Sequence, residues 1–194
     1  MDFKEIKEFV YQELNNDHSG HDYFHALRVY NNAKKIVSET KDDNINPKII
    51  YVSTLIHDCV DHKLYSDIEL QLQKINNLLK NKFTDDEINE ILEIIQSISY
   101  SKNNILSNIN AQIVCDADRL DAIGAMGIIR TIEYGNTRNR KFDDETDNST
   151  INHFYQKLLK LKDLMYTNSA KKMAIKRHKF LELFLEEYYQ EKNS

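Results

Sequence analysis

Four glycines and one proline in 194 residues are the tightest constraint on what this chain folds into. Sheets with many tight reversals draw heavily on both residues, so their scarcity favours long helices joined by short polar links. Hydrophobic residues make up 41% of the chain, enough to build a real core at this length. The expected fold is an all-α helical bundle forming a single domain over residues 1–194.

The helical period is visible along most of the chain. Phe3, Ile6, Phe9, Val10 and Leu14 mark a first amphipathic helix, followed by a polar break from Asn15 to Gly20. A second helix carries Phe24, Leu27, Tyr30, Ala33 and Val37 on one stripe. Pro47 suits the start of the next helix, and the run from Ile49 to Ile56 is apolar nearly all round, so it reads as the central buried helix. Ile68, Leu72, Ile75, Leu78 and Leu79 mark another, within Ser66 to Lys80. Thr84 to Glu87 resembles a helix cap with an acidic first turn. Ile113 to Ile132 reads as one apolar helix whose small residues, Ala117, Ala122, Gly124, Ala125 and Gly127, permit close approach. Gly135 to Asn148 has no period and reads as a long loop or lid. Two helices close the chain, the first lined by Phe154, Leu158, Leu161 and Met165, the second by Met173, Phe180, Leu181, Phe184 and Tyr188.

A formal charge of −5 gives no reason to expect nucleic acid or an anionic membrane as a partner, while leaving room for a local positive patch on a phosphate. No run approaches membrane-spanning length, and the charged N-terminus does not suit a signal peptide, so the expected location is the cytoplasm. Cys59 and Cys115 sit beside apolar runs rather than at a metal-binding spacing and read as small buried hydrophobes in a reducing compartment. The aromatic C-terminal helix either seals the core or forms a dimer face, so a monomer or a homodimer is expected.

His57 and Asp58 end the most apolar segment of the chain. An imidazole and a carboxylate beside a buried helix are costly unless something satisfies them, and a metal ion would. Taken alone, capping or a surface hydrogen bond explains most such pairs, and a lone His25 would more often be a satisfied core histidine. Asp116, Asp118 and Asp121 then place three carboxylates within six positions of an apolar helix. Spacing puts Asp118 and Asp121 on one face, one turn apart, with Asp116 pointing elsewhere, a possible cap for the helix start.

These segments resemble the HD superfamily of metal-dependent phosphohydrolases, and within it the bacterial subgroup of small stand-alone HD-domain hydrolases. The likeness runs through Gly20 to Val29, Leu55 to Lys63 and Asp116 to Ala125, more weakly from His153 to Leu159 and on to the C-terminal helix. The order H…HD…D is far more specific than any one piece. The resemblance implies an all-α bundle in which His25, His57, Asp58 and Asp118 hold a divalent cation, with positions left for water and substrate. Two imidazoles and two carboxylates suit Mn²⁺ or Mg²⁺, with iron, cobalt or nickel as further occupants, and the absence of cysteine ligands argues against structural zinc.

The implied activity is hydrolysis of a phosphate ester or anhydride in a nucleotide, as a nucleoside triphosphate pyrophosphohydrolase or nucleotide phosphatase, by a metal-activated water. The alternative is a non-catalytic HD module that binds nucleotide or metal. A regulatory alarmone hydrolase ranks lower, because its extra signature segments are absent. Asp61, three residues after Asp58, would share the metal-facing side of a continuing helix, and the family resemblance gives it the role of general acid or base. Lys63 is a phosphate-binding candidate or an ordinary exposed lysine. Arg28 and Arg119 either bind phosphate or pair with Asp22, Asp116 or Asp121 to orient the site. His21 touches substrate or caps its helix. Two departures, His62 and the stretch from Tyr134 to Arg140 without a glycine-rich character, bear on substrate preference.

Overall fold

A computed structural model describes residues 3–17, 20–100, 105–144 and 148–194, and those residues are helical with no strand among them. The helices are α1 (Lys4–Leu14), α2 (Tyr23–Glu39), α3 (Pro47–Ile56), α4 (Ile68–Leu79), α5 (Asp85–Tyr100), α6 (Ile109–Asp121), α7 (Gly124–Thr137), α8 (Thr150–Gln156) and α9 (Asn168–Asn193). Short 3-10 helices cover His57–Val60 and Leu158–Leu164. No helix among the described residues is long and apolar enough to cross a membrane.

The all-α expectation holds, and α3 is its centre. Asn46 caps the helix through its side chain, Pro47 occupies the first turn, and Ile49, Ile50, Val52, Leu55 and Ile56 are fully enclosed. α2, α5 and α6 pack around α3, while α9 closes the far side against α6 and α7. α5 begins with a reciprocal cap: the Glu87 backbone N–H donates to Thr84 Oγ1, and Glu87 accepts from the Thr84 N–H at 2.9 Å. Cys59 and Cys115 are both buried and unpaired.

Four readings of the sequence need correction. The apolar stretch from Ile113 to Ile132 is two helices, because the chain turns at Gly124, whose φ of +78° an L side chain rarely adopts. Gly127 then lets α7 start directly against the Ala122 carbonyl, where a Cβ would collide. The stretch from Gly135 to Asn148 is less of a loop than its composition suggests. α7 runs to Thr137, and the N–H groups of Thr150 and Ile151 donate to Lys141 and Phe142 carbonyls at 2.9 and 2.8 Å; positions 145–147 lie outside the described residues. The segment lined by Phe154, Leu158, Leu161 and Met165 is not one helix but α8 followed by a 3-10 turn. Finally, Phe24 and Phe180 face outward at 59% and 48% exposure. α2 instead buries His25 and Asn32, the latter donating to the Ala117 carbonyl at 3.0 Å.

Asp116 does not cap its own helix, which starts at Ile109 under the side chain of Asn108. It lies at full burial in the middle of α6 and accepts three hydrogen bonds, all 2.8 Å long, from the Tyr166 N–H, the Thr167 N–H and the Thr167 hydroxyl. This ties the start of α9 to the helix that carries Asp118. Removing the carboxylate strands buried donors, so Asp116→Ala should cost about 3 kcal/mol. A lowered urea midpoint with an unchanged slope is the expected reading, and an unaltered midpoint would dismiss the anchor.

Candidate metal centre

Two helices and one 3-10 turn bring the HD residues together. Asp22 caps α2 by accepting from the His25 N–H at 2.7 Å, which fixes the first turn from which His25 projects. His57 and Asp58 sit in the 3-10 turn directly after α3, both nearly buried. Asp118 and Asp121 leave α6 one turn apart and flank His25 on opposite ring nitrogens.

The outer hydrogen bonds decide how the two imidazoles present themselves. His25 Nδ1 lies 2.7 Å from Asp121 Oδ2, and a carboxylate accepts, so Nδ1 carries a proton. His57 Nδ1 lies 2.9 Å from the Thr54 carbonyl, one of the last of α3, and carries a proton for the same reason. Both Nε2 atoms are therefore left facing the centre, 3.3 Å from each other. Asp58 lies 3.3 Å from His25 Nε2 through Oδ2 and 3.4 Å from His57 Nε2 through Oδ1. Asp118 Oδ1 lies 3.4 and 3.8 Å from the same two nitrogens.

Such a ring fits a cation. Adjacent donors around an octahedral ion at a bond length of about 2.2 Å stand about 3.1 Å apart, close to these separations before closure on an ion. Among the described residues the possible ligand atoms fall into two overlapping triples, His25–His57–Asp118 and His21–His25–Asp58, sharing His25. Nitrogen and oxygen donors without thiolate suit a first-row divalent ion or Mg²⁺.

The electrostatics lead to the same place. Burial opposes a charge on His25, yet hydrogen bonds to Asp118, Asp121 and Asp58 push its pKa up to about 10. Burial also works to raise the Asp58 pKa, but His57 and His21 hold it well below the carboxylate range. Asp118 is likewise held down by His25 and His57 against its burial. The centre demands positive charge, and a proton on His25 supplies it when no cation does. Asp121, 2% exposed, accepts the single Arg28 Nε–H, shared between its two oxygens at 2.9 and 3.2 Å, and an N–H of Arg130 Nη1 at 3.0 Å, which pins the carboxylate that orients His25.

The remaining sequence candidates separate. His21 Nδ1 lies 3.1 Å from Asp58 Oδ2, and since Asp22 caps the helix, His21 does not. Arg28 orients the site through Asp121, as one of its two readings had it. Arg119 lies elsewhere: it donates to the Leu164 carbonyl and stacks over Tyr166 at 5.1 Å. Asp61 is not on a continuing helix. The 3-10 turn ends before it, its backbone is extended, and its Oδ1 accepts from the Lys63 N–H at 2.8 Å.

Lys63 does line a cavity of about 200 Å³ beside the centre, together with His21, Asp118, Arg130, Tyr134 and Lys157 among others. Arg130 and Lys157 escaped the sequence reading. A charge inside Ile128-Ile129-Arg130-Thr131-Ile132 was the one signal for Arg130, because a guanidinium in an apolar helix needs a partner. Arg138 and Arg140 turn toward the Tyr134 ring instead, at 5.5 and 5.7 Å.

A family model described as the HD domain matches residues 22–123, which contain every one of the ring donors outside His21. The chain belongs to the HD domain family. It is 32% identical over 188 residues to the YpgQ protein of Bacillus subtilis (strain 168), covering 94% of this chain and 89% of that one. Among solved structures, YpgQ in complex with ADP superposes with a TM-score of 0.83 at 30% identity over 96% of both chains. An HD-superfamily hydrolase from Bacillus thuringiensis gives 0.80 at 36% identity, covering 98% of this chain and 96% of its own. The helical body beyond the matched stretch is thus shared with these relatives.

With the His25 pKa near 10, the ion-free HD centre holds a proton across neutral pH that an incoming cation displaces. Apparent affinity should therefore rise with pH below that value, by up to about tenfold per unit for each proton released. Calorimetric titration with Mn²⁺ at pH 7, in two buffers of different ionisation enthalpy, should report about one proton released, and none would rule out His25 as the displaced site. Asp121→Ala should weaken Mn²⁺ binding about 10–100-fold by freeing the His25 ring.

Proposed function

We propose that this chain is a metal-dependent phosphohydrolase that cleaves a phosphate ester or anhydride in a nucleotide, with His25, His57, Asp58 and Asp118 holding the divalent cation. The observation that carries this reading is the facing pair of Nε2 atoms, each committed by its outer hydrogen bond to present a lone pair, enclosed between two carboxylates. Membership in the HD domain family supports it, as do the ADP complex of YpgQ and the hydrolase description of the Bacillus thuringiensis relative. Mn²⁺ or Mg²⁺ fits the donor set best, with iron, cobalt and nickel as further candidates.

Bound there, such an ion acidifies a water molecule and polarises a phosphoryl oxygen. The protein's own residues do the rest. Asp121, clamped by Arg28 and Arg130, and the Thr54 carbonyl hold both imidazoles in the tautomer that turns Nε2 inward. His21 borders the cavity beside Asp58, and we assign it the transfer of a proton to the departing oxygen. Asp61 does not line that cavity and is engaged with the Lys63 N–H, so it is not given the acid–base role. Lys63 reaches the cavity rim, where its ammonium meets phosphate oxygens.

The test is a screen of purified protein against nucleotides with each divalent cation, scoring orthophosphate separately from pyrophosphate. Asp58→Ala should lose turnover while keeping its helical circular dichroism. His21→Ala should lower kcat by about 10²–10⁴, the range expected of a positioned proton donor, and Asp61→Asn should stay within about threefold. Tight nucleotide binding with no product over hours would make the protein a binding module instead.

A further inference from the structure

α9 packs against the second 3-10 helix, and residues of both line a cavity of about 480 Å³. Lys171, His178, Lys179 and Glu182 face it from α9, while Lys162 and Asp163 face it from the 3-10 helix. Its lining shares no residue with the cavity beside the HD centre. His178 is 5% exposed and set in the buried stripe of α9 between Ala174 and Leu181. Its Nε2 lies 2.8 Å from Lys162 Nζ and 3.1 Å from Glu182 Oε1. Its Nδ1 is buried, with no hydrogen-bond partner among the described residues.

An ammonium donates hydrogen bonds and accepts none, so the Nε2 lone pair receives the Lys162 bond and the ring's own proton stays on Nδ1. With Nδ1 enclosed, proton exchange at His178 runs through Nε2. When the shared proton crosses from Lys162 to Nε2, charge is conserved: an ammonium and a neutral imidazole become a free amine and an imidazolium. The new positive charge arises beside Glu182, whose carboxylate faces that same nitrogen. An amine within reach of a base, with a carboxylate to steady the base once charged, is the arrangement that makes a lysine nucleophilic. Lys171 and Lys179 add two ammonium groups to the cavity against the Asp163 carboxylate, a balance that suits a phosphate beside the amine.

We infer that Lys162 is an acyl acceptor: His178 takes its proton, and the free amine reacts with an acyl phosphate whose phosphate Lys171 and Lys179 hold. The Nζ lone pair forms a bond to the acyl carbon, the bond from that carbon to the phosphate oxygen breaks, and its electron pair leaves with the phosphate. The second nitrogen proton goes to the departing phosphate, and the first passes from His178 to water. The products are an amide on Lys162 and inorganic phosphate. The amide carries no charge, so Glu182 is then the one charged partner left to His178 Nε2 among the described residues.

The full chain is incubated with acetyl phosphate at neutral pH, and acetylation of each lysine is followed by peptide mass spectrometry, with thermal melts to check folding. Lys162 should react about 10²-fold faster than the exposed Lys160 and Lys176. His178→Gln, whose amide oxygen accepts the Lys162 bond but takes no proton, should bring Lys162 down to their rate. Glu182 is exposed, so Glu182→Gln leaves the core intact; it should slow Lys162 about threefold, the worth of an exposed charge pair. Added inorganic phosphate should slow acetylation at Lys162 and not at Lys160. A Lys162 rate no greater than that of Lys160, or an unchanged rate in Glu182→Gln or in folded His178→Gln, would overturn the acceptor site. Phosphate binding in the cavity with no acetyl adduct on Lys162 would overturn it too, leaving a plain anion site.

Discussion

Two Nε2 atoms facing each other across 3.3 Å in a buried site set the terms for the residues around them. Left neutral, such a pair repels, and two carboxylates beside it make the deficit of positive charge larger. The protein does not relieve this by turning a ring, because Asp121 and the Thr54 carbonyl hold both outer nitrogens. The surrounding structure is arranged to keep that tension in place. Asp121 of α6 is clamped by side chains from α2 and α7, so the orientation of one imidazole depends on the docking of three helices.

Much of this was legible in the sequence, and the parts that were not have physical reasons. α1, α3 and α5 announced themselves because their buried faces are apolar or their caps local. The stripe assigned to α2 was rotated, with Phe24 inward on paper and outward in the fold. A hydrophobic stripe counts only apolar residues, and this helix buries His25 and Asn32, whose partners lie about 90 residues away in α6. The break between α6 and α7 depends on one backbone angle at Gly124, which composition does not reveal.

Within the site, the H…HD…D order identified two carboxylates that the fold brings within 4 Å of both imidazole Nε2 atoms, because each residue stands at a helix end or in a first turn, where capping chemistry is local. Asp61 was misplaced by one assumption, that the helix through Asp58 continues; the 3-10 turn ends it. Arg130 and Lys157 have no spacing relation to any ligand. They meet Lys63 only through the packing of α7 and α8 against the core, a relation no local pattern encodes.

The stretch matched by the family model ends at Ile123, one residue before the glycine that turns the chain into α7. Four of the ring donors and Asp121 lie inside it, yet Arg130 and the Tyr166–Thr167 segment that grips Asp116 lie beyond. An excised fragment spanning the matched stretch alone would keep the ligands' order and lose the brace that sets how deeply α6 seats. The minimal functional unit is thus longer than its signature, and the C-terminal helices belong to the centre's scaffolding as much as the helices that bear its side chains.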